Sequence, residues 1–268
     1  YRYHHLLREF LQLRAAAVLP RDQVRRAHLR AAEWFATKDL VEEAIQHALA
    51  AGDLELAAHM MEQGLCSVLN RQDGATLRRW LNLLPADFRT RRPGLQVSEG
   101  WLRHFSLQAE ELAVLLPDIE TQLADGAATL APEEMRLLRG NVLALCAMAT
   151  YFANRPAASI ACAQEALLLL PEQWSFVRGS CTFWLGVSGQ VHGQAEAFRR
   201  LLWARYKAAH AKGNNYALAT LGGLCQLEFE SGRLEHASEA AALMLEQSQR
   251  SGAVGMQGWA HYWLGLIC

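Results

Sequence analysis

Aromatic rings and side-chain amides recur at helical spacing through the second half of this chain, and they are its best candidates for chemistry. Tyr151, Phe183, Phe229, Trp259 and Tyr262, with the amides of Gln190 and Gln226, offer stacking faces and uncharged hydrogen-bonding groups. That combination suits a sugar or another small polar ligand. Other chemistry is poorly served. The lysines are Lys38, Lys207 and Lys212, and none follows a GxxxxG pattern, so no P-loop is available. Gly186, Gly189 and Gly193, the nearest thing to a glycine motif, fall inside a helix and its turn. His4 and His5 diverge on a helix, while His47, His59 and His104 lie on separate elements without H-x3-H spacing. No Ser/His/Asp arrangement is readable. The expectation is a non-enzymatic chain with no metal or cofactor of its own.

Composition agrees with an all-helical protein: 51% of residues are apolar, with only seven prolines among 268. Net charge is −1, which gives no electrostatic argument for nucleic acid. No apolar run reaches membrane-spanning length and no signal-peptide pattern opens the chain. Cys66, Cys146, Cys162, Cys181, Cys225 and Cys268 lack CxxC spacing and read as reduced core residues of a cytoplasmic protein. The chain opens without Met and stops at Cys268 within an apolar helix, so it is read as a fragment of a longer protein.

The elements that must hold those aromatic residues are amphipathic helices joined by short turns. One helix is expected over 2–17, in a basic neighbourhood (Arg2, Arg8, Arg14, Arg21, Arg25, Arg26 and Arg30) that suits solvated faces or docking against further domains. Apolar residues then recur at helical spacing in three segments: Val24 to Phe35, Leu40 to Leu49, and Leu54 to Leu65. Asp39 is expected to cap the second helix, Gly52 to end it and Asp53 to cap the third. Asp73-Gly74 reads as a turn, 75–84 as a short helix ended by Pro85, and 86–93 as the least regular segment. Each Ala-rich face is too thin to make a core alone, so stacking onto similar units is expected.

A repeat decides the architecture. The small residues Gly100, Ala147, Gly186, Cys225 and Gly265 are spaced by 47, 39, 39 and 40 positions. Seven residues after the first four come Leu107, Asn154, Gly193 and Gly232, where a turn is expected. Five further on, Leu112, Ser159, Phe198 and Ala237 open a second helix. This is a tetratricopeptide (TPR)-like pattern, in which the small residue lets helix B approach the backbone of helix A. The expected pairs are 93–105 with 109–124, 133–153 with 156–170, 173–190 with 194–212, and 215–230 with 233–251, then a last helix A from 254. The fold class is therefore all-α, a right-handed superhelix of stacked antiparallel pairs. Its A helices would line the concave face. Counting from the small residues puts Trp101, His104, Asn141, Met148, Tyr151, Phe183, Val187, Gln190, Gln226, Phe229, Trp259 and Tyr262 there. Trp184, Trp203 and Trp263 fall at packing registers.

RRAHLRAAEWFATKDLVEEAIQHALAAGDLELAAHMME, from Arg25 to Glu62, resembles the start of the helical domain in large ATP-dependent LuxR-type regulators of the maltose-regulon activator (MalT) kind. Upstream, YRYHHLLREFLQLR resembles the end of that family's winged helix; downstream, LRRWLNLLPADFRTRRPGLQVSEGW resembles its next signature. Beyond Trp101 the likeness is architectural. The resemblance implies three parts: 1–20 as the end of a winged-helix domain or a linker helix, 21–92 as the first helical pairs, and 93–268 as TPR-like repeats forming an effector domain. It also implies a bacterial transcriptional activator in which a small inducer binds this domain. ATP would bind a domain upstream, self-association or contacts with other domains of the same regulator would follow, and DNA would be reached through a helix-turn-helix beyond residue 268. The rival reading is a TPR-type scaffold whose groove holds a peptide or protein.

Overall fold

The computed structural model describes residues 18–126, 130–211 and 216–268, together with Phe10 and Arg14. The helix expected over 2–17 lies almost wholly outside them. Every regular element among the described residues is helical, and none of the helices is long and apolar enough to cross a membrane. The chain divides into two compact units between Leu65 and Cys66.

In the first unit α1 (Arg21–Ala36) packs on α2 (Val41–Ala50), and α3 (Leu54–Asn70) begins there. Ala32, Ala44, Ala48, Ala57 and Ala58 are all fully buried; methyl-sized side chains are what allow helix backbones to approach closely. Asp53 caps α3, accepting from the Leu56 amide at 3.0 Å. Asp39 does something other than the expected capping. It adopts φ 58°, and Leu40 is the residue that precedes α2. Asp39 thus ends α1, where a short polar side chain tolerates the left-handed conformation.

The second unit continues with α4 (Gly74–Leu81), the single turn α5 (Ala86–Arg89) and nine longer helices. These are α6 (Pro93–Phe105), α7 (Ala109–Asp125), α8 (Pro132–Phe152), α9 (Pro156–Leu169), α10 (Ser175–Val191), α11 (Ala195–Ala211), α12 (Tyr216–Glu230), α13 (Leu234–Ser251) and α14 (Val254–Ile267). The even-numbered members are the A helices. Each packs on the B helix that follows it and on the next A helix, so α6, α8, α10, α12 and α14 form one continuous layer. That is TPR-like stacking. Asp73 caps α4 through the Thr76 amide, and the turn before it uses Gln72 at φ 55° rather than Gly74.

The turns between A and B helices fall where the register puts them. Leu107, Asn154, Gly193 and Gly232 have φ of 53°, 56°, 79° and 72°. In each case the next residue donates its amide back five positions: Gln108 to Arg103, Arg155 to Thr150, Gln194 to Gly189 and Arg233 to Glu228, at 2.8–2.9 Å. This is the Schellman closure of a helix end. Among the small positions Gly100 and Gly186 are close approaches, whereas a Cβ on Gly265 would meet nothing within 4 Å. A Cβ on Gly100 would meet Leu145 Cδ1 at 2.7 Å, and one on Gly186 would meet Leu202 Cδ1 at 2.7 Å. Ser159 at the start of α9 donates to the Ala147 carbonyl at 2.7 Å.

One ionic contact ties the last pairs together. Glu228 on α12 is fully buried and takes Arg199 Nε at 2.9 Å and Arg233 Nε at 2.6 Å, one from α11 and one from the turn before α13. Glu228→Gln leaves two guanidinium groups facing a neutral amide, and should cost about 3 kcal/mol. The glycine positions separate two physical effects. Gly186→Leu should cost about 1–3 kcal/mol by overpacking. Gly193→Ala should cost about 1 kcal/mol through the backbone alone, because no atom lies within 4 Å of the added Cβ. Leu107→Gly, at an exposed left-handed position, should be neutral or stabilising. Urea denaturation of the variants checks all of these; a destabilised Leu107→Gly would contradict the turn assignment.

Candidate functional site

The A-helix layer of the second unit walls a cavity of about 790 Å³. Its construction starts from an amide. Asn70, at the end of α3, donates to the Gln173 carbonyl at 2.7 Å and accepts the Phe176 amide at 3.0 Å. This clamp, spanning more than a hundred positions, seats Phe176 against Phe105, Trp101 and His104, with ring centroids 5.3, 5.6 and 6.1 Å apart. At the far side, Trp259 of α14 lies on α12, where a Cβ on Gly222 would be 2.9 Å from the ring, and 5.3 Å from Phe183 of α10. A Cβ on Gly255 would lie 3.6 Å from Gln72 Oε1, so the turn before α4 and the start of α14 approach each other at the cavity.

The structure brings together Tyr151, Phe183, Gln226, Trp259 and Tyr262 of the expected ligand-binding residues, and His104 with them. Gln190 and Phe229 stand apart from the lining: Gln190 accepts from Ser231 at 3.2 Å, and Phe229 packs on Trp263 at 5.8 Å. Four further residues counted to the inner face belong to the core. Trp101, Met148 and Val187 are fully buried, and Asn141 accepts the Trp101 indole N–H at 2.9 Å. Conversely, Trp184 and Trp263 line the cavity, whereas Trp203 packs against Tyr206. The signal for the missed residues is a doublet. His104-Phe105, Tyr151-Phe152, Phe183-Trp184 and Tyr262-Trp263 are adjacent aromatic pairs on A helices, and both members of every pair line the cavity. Phe176, Asn70 and Gln72 carry no such signal.

Among the described residues the lining holds no Asp, Glu, Lys or Arg. Glu230 sits behind it, accepting from Gln226 Nε2 at 2.8 Å. Burial first, and Glu230 second, push the Tyr151 hydroxyl above its ordinary pKa. His104 Nε2 is 2.9 Å from Ser180 Oγ while its Nδ1 is sealed without a partner, and burial lowers its pKa to about 4. The cavity therefore works near neutral pH as an uncharged aromatic chamber. Elsewhere the thiols are unpaired: Cys181 and Cys225 are buried, Cys66, Cys146 and Cys162 partly so, and Cys268 is exposed. Cys146 and Cys162 bring their sulfurs to 3.4 Å.

Comparison with known proteins follows the fold. The chain is 28% identical over 241 residues to the HTH-type transcriptional regulator MalT of Serratia proteamaculans, a match covering 88% of this chain and 26% of that protein. The chain is similar to one segment of MalT-type regulators. The MalT proteins of Yersinia pestis and Yersinia pseudotuberculosis match with the same identity and coverage. The chain thus spans about a quarter of the length of the curated relatives it matches. No family model matches it. A match over 88% of the chain carries the MalT-type likeness well beyond its first hundred residues.

His104 sets a pH test. Its ordinary pKa is 6.5, the value taken for the unfolded chain, against about 4 when folded. Between those values the unfolded state holds the extra proton. Its contribution is therefore constant above pH 6.5 and stability falls as pH drops from 6.5 to 4, by about 3 kcal/mol from this group. His104→Gln, which can still bond Ser180, should flatten the urea-midpoint profile in that window. Parallel profiles would assign the acid loss to other groups.

Proposed function

We propose that this chain is the effector-sensing and interaction segment of a bacterial MalT-type transcriptional activator, and that its cavity takes a small inducer. The observation that carries this reading is the cavity itself. It is of a size suited to a small molecule; consecutive A helices supply its aromatic faces and Gln226, while Asn70 and Gln72 bring amides from the end of α3 and the turn after it. An inducer seated there would touch α6, α8, α10, α12 and α14 together. It would shift the population toward whichever arrangement of the stack binds it more tightly. Nucleotide binding, self-association and DNA contact would belong to other segments of the regulator, in the cytoplasm.

The test is a metabolite screen by thermal shift on the 268-residue chain. A ligand at a hundred times its Kd should stabilise the fold by about 2.7 kcal/mol. Trp259→Ala and Gln226→Ala should weaken it far more than Glu239→Ala, an exposed change on α13. Equal losses in all three would move the ligand elsewhere. A protein that stabilises the chain where no metabolite does would favour the scaffold reading instead.

A further inference from the structure

Resting on the reading of the cavity as an inducer site, we propose that its ligand is an uncharged molecule with flat aromatic or conjugated faces and few hydroxyl groups. Charge is the first argument. Among the described residues no ionic side chain lines the chamber, and His104 stays neutral, so a bound ion would lose its hydration without gaining a partner in the lining. Cation–π contact in a desolvated site returns less than an ion loses on entering it.

The second argument is a census of the polar lining. The Asn70 amide is committed to Gln173 and Phe176. Ser180 is committed to His104, and Gln226 Nε2 to Glu230. Gln72, Gln226 Oε1 and the Tyr262 hydroxyl remain to meet a ligand, while the Tyr151 hydroxyl already bonds Gln226. A polyhydroxylated molecule would therefore strand most of its hydroxyls against hydrocarbon, each unmade bond carrying a desolvation cost. Flat faces have no such difficulty, because the four aromatic doublets supply ring surface. The indole N–H groups of Trp184 and Trp263 are sealed in the wall without acceptors. A carbonyl oxygen on the ligand would satisfy one once its ring turned.

Four probes test this by calorimetric titration of the 268-residue chain: 2-naphthamide, its anionic counterpart 2-naphthoate, the cationic 2-naphthylmethylammonium, and sucrose. The amide should bind at least tenfold more tightly than either charged analogue, and sucrose should not bind. Tyr262→Ala, which removes a half-exposed ring, and Trp259→Ala should each weaken the amide at least tenfold. Glu239→Ala should leave it within twofold. A charged probe that equals the amide overturns the inference, as does sucrose binding where the amide does not. An amide signal that survives both ring deletions overturns it too. Failure of all four probes also overturns it, and the inducer-site reading falls with it only if the metabolite screen finds nothing.

Discussion

Eight helix connections among the described residues depend on one backbone event, a single residue in the left-handed region that closes a helix and turns it back on itself. The chain uses it at Asp39, Gly52, Gln72, Leu107, Asn154, Gly193, Gly232 and Gly252, and each time the following amide reaches back five residues. The closure satisfies carbonyls that a helix end would otherwise leave open, and it does so within two or three residues. A turn that short commits the next helix to run antiparallel. The repeated geometry is what converts a string of amphipathic helices into a stack.

Stacking then rests on how closely the A helices approach. A Cβ on Gly179 would fall 2.6 Å from that of Ala219, and Gly223 lies against the backbone of Phe183. With so little side-chain volume between them, α10 and α12 meet nearly backbone to backbone. Their large residues are displaced to one side, where Phe183, Trp184 and Trp259 gather. The buried Glu228 with its two arginines lies on another side of α12, toward α11 and the turn before α13.

The fold was largely legible in the sequence because its punctuation is local. The helix expected over 93–105 is Pro93–Phe105, and the later helices end within about two residues of expectation, whereas that expected over 75–84 stops at Leu81. Proline at a first helical turn and glycine or asparagine in a left-handed turn state their roles in their own chemistry. Leu107 and Gln72 do not, since nothing in either side chain favours a positive φ, and the register alone located the first of them. Asp39 misled because the same residue type serves a helix start and a left-handed stop. The cavity was less legible for a different reason. Its closure depends on Asn70 meeting Gln173 and Phe176, a contact that no periodicity encodes. Counting one face of each helix also assigned Trp184 and Trp263 to packing. A wide indole at the edge of that face both packs and lines.

That distant closure bears on how such a site would act. In a stack, each unit touches only its neighbours, so small changes in each turn accumulate along the layer without any one contact registering the sum. The cavity is where the sum is felt: Asn70, Gln72 and α6 stand on one side, and Gly255 and Trp259 of α14 on the other. A ligand bridging them would respond to the total curvature of the layer rather than to one hinge. Its differential affinity for two curvatures would set the size of the response. An uncharged wall fits this role, since dispersion and ring contacts fade within an ångström or so of displacement while a salt bridge would hold across a range of spacings. The chamber's neutrality therefore favours sensitivity to shape over strength of attachment.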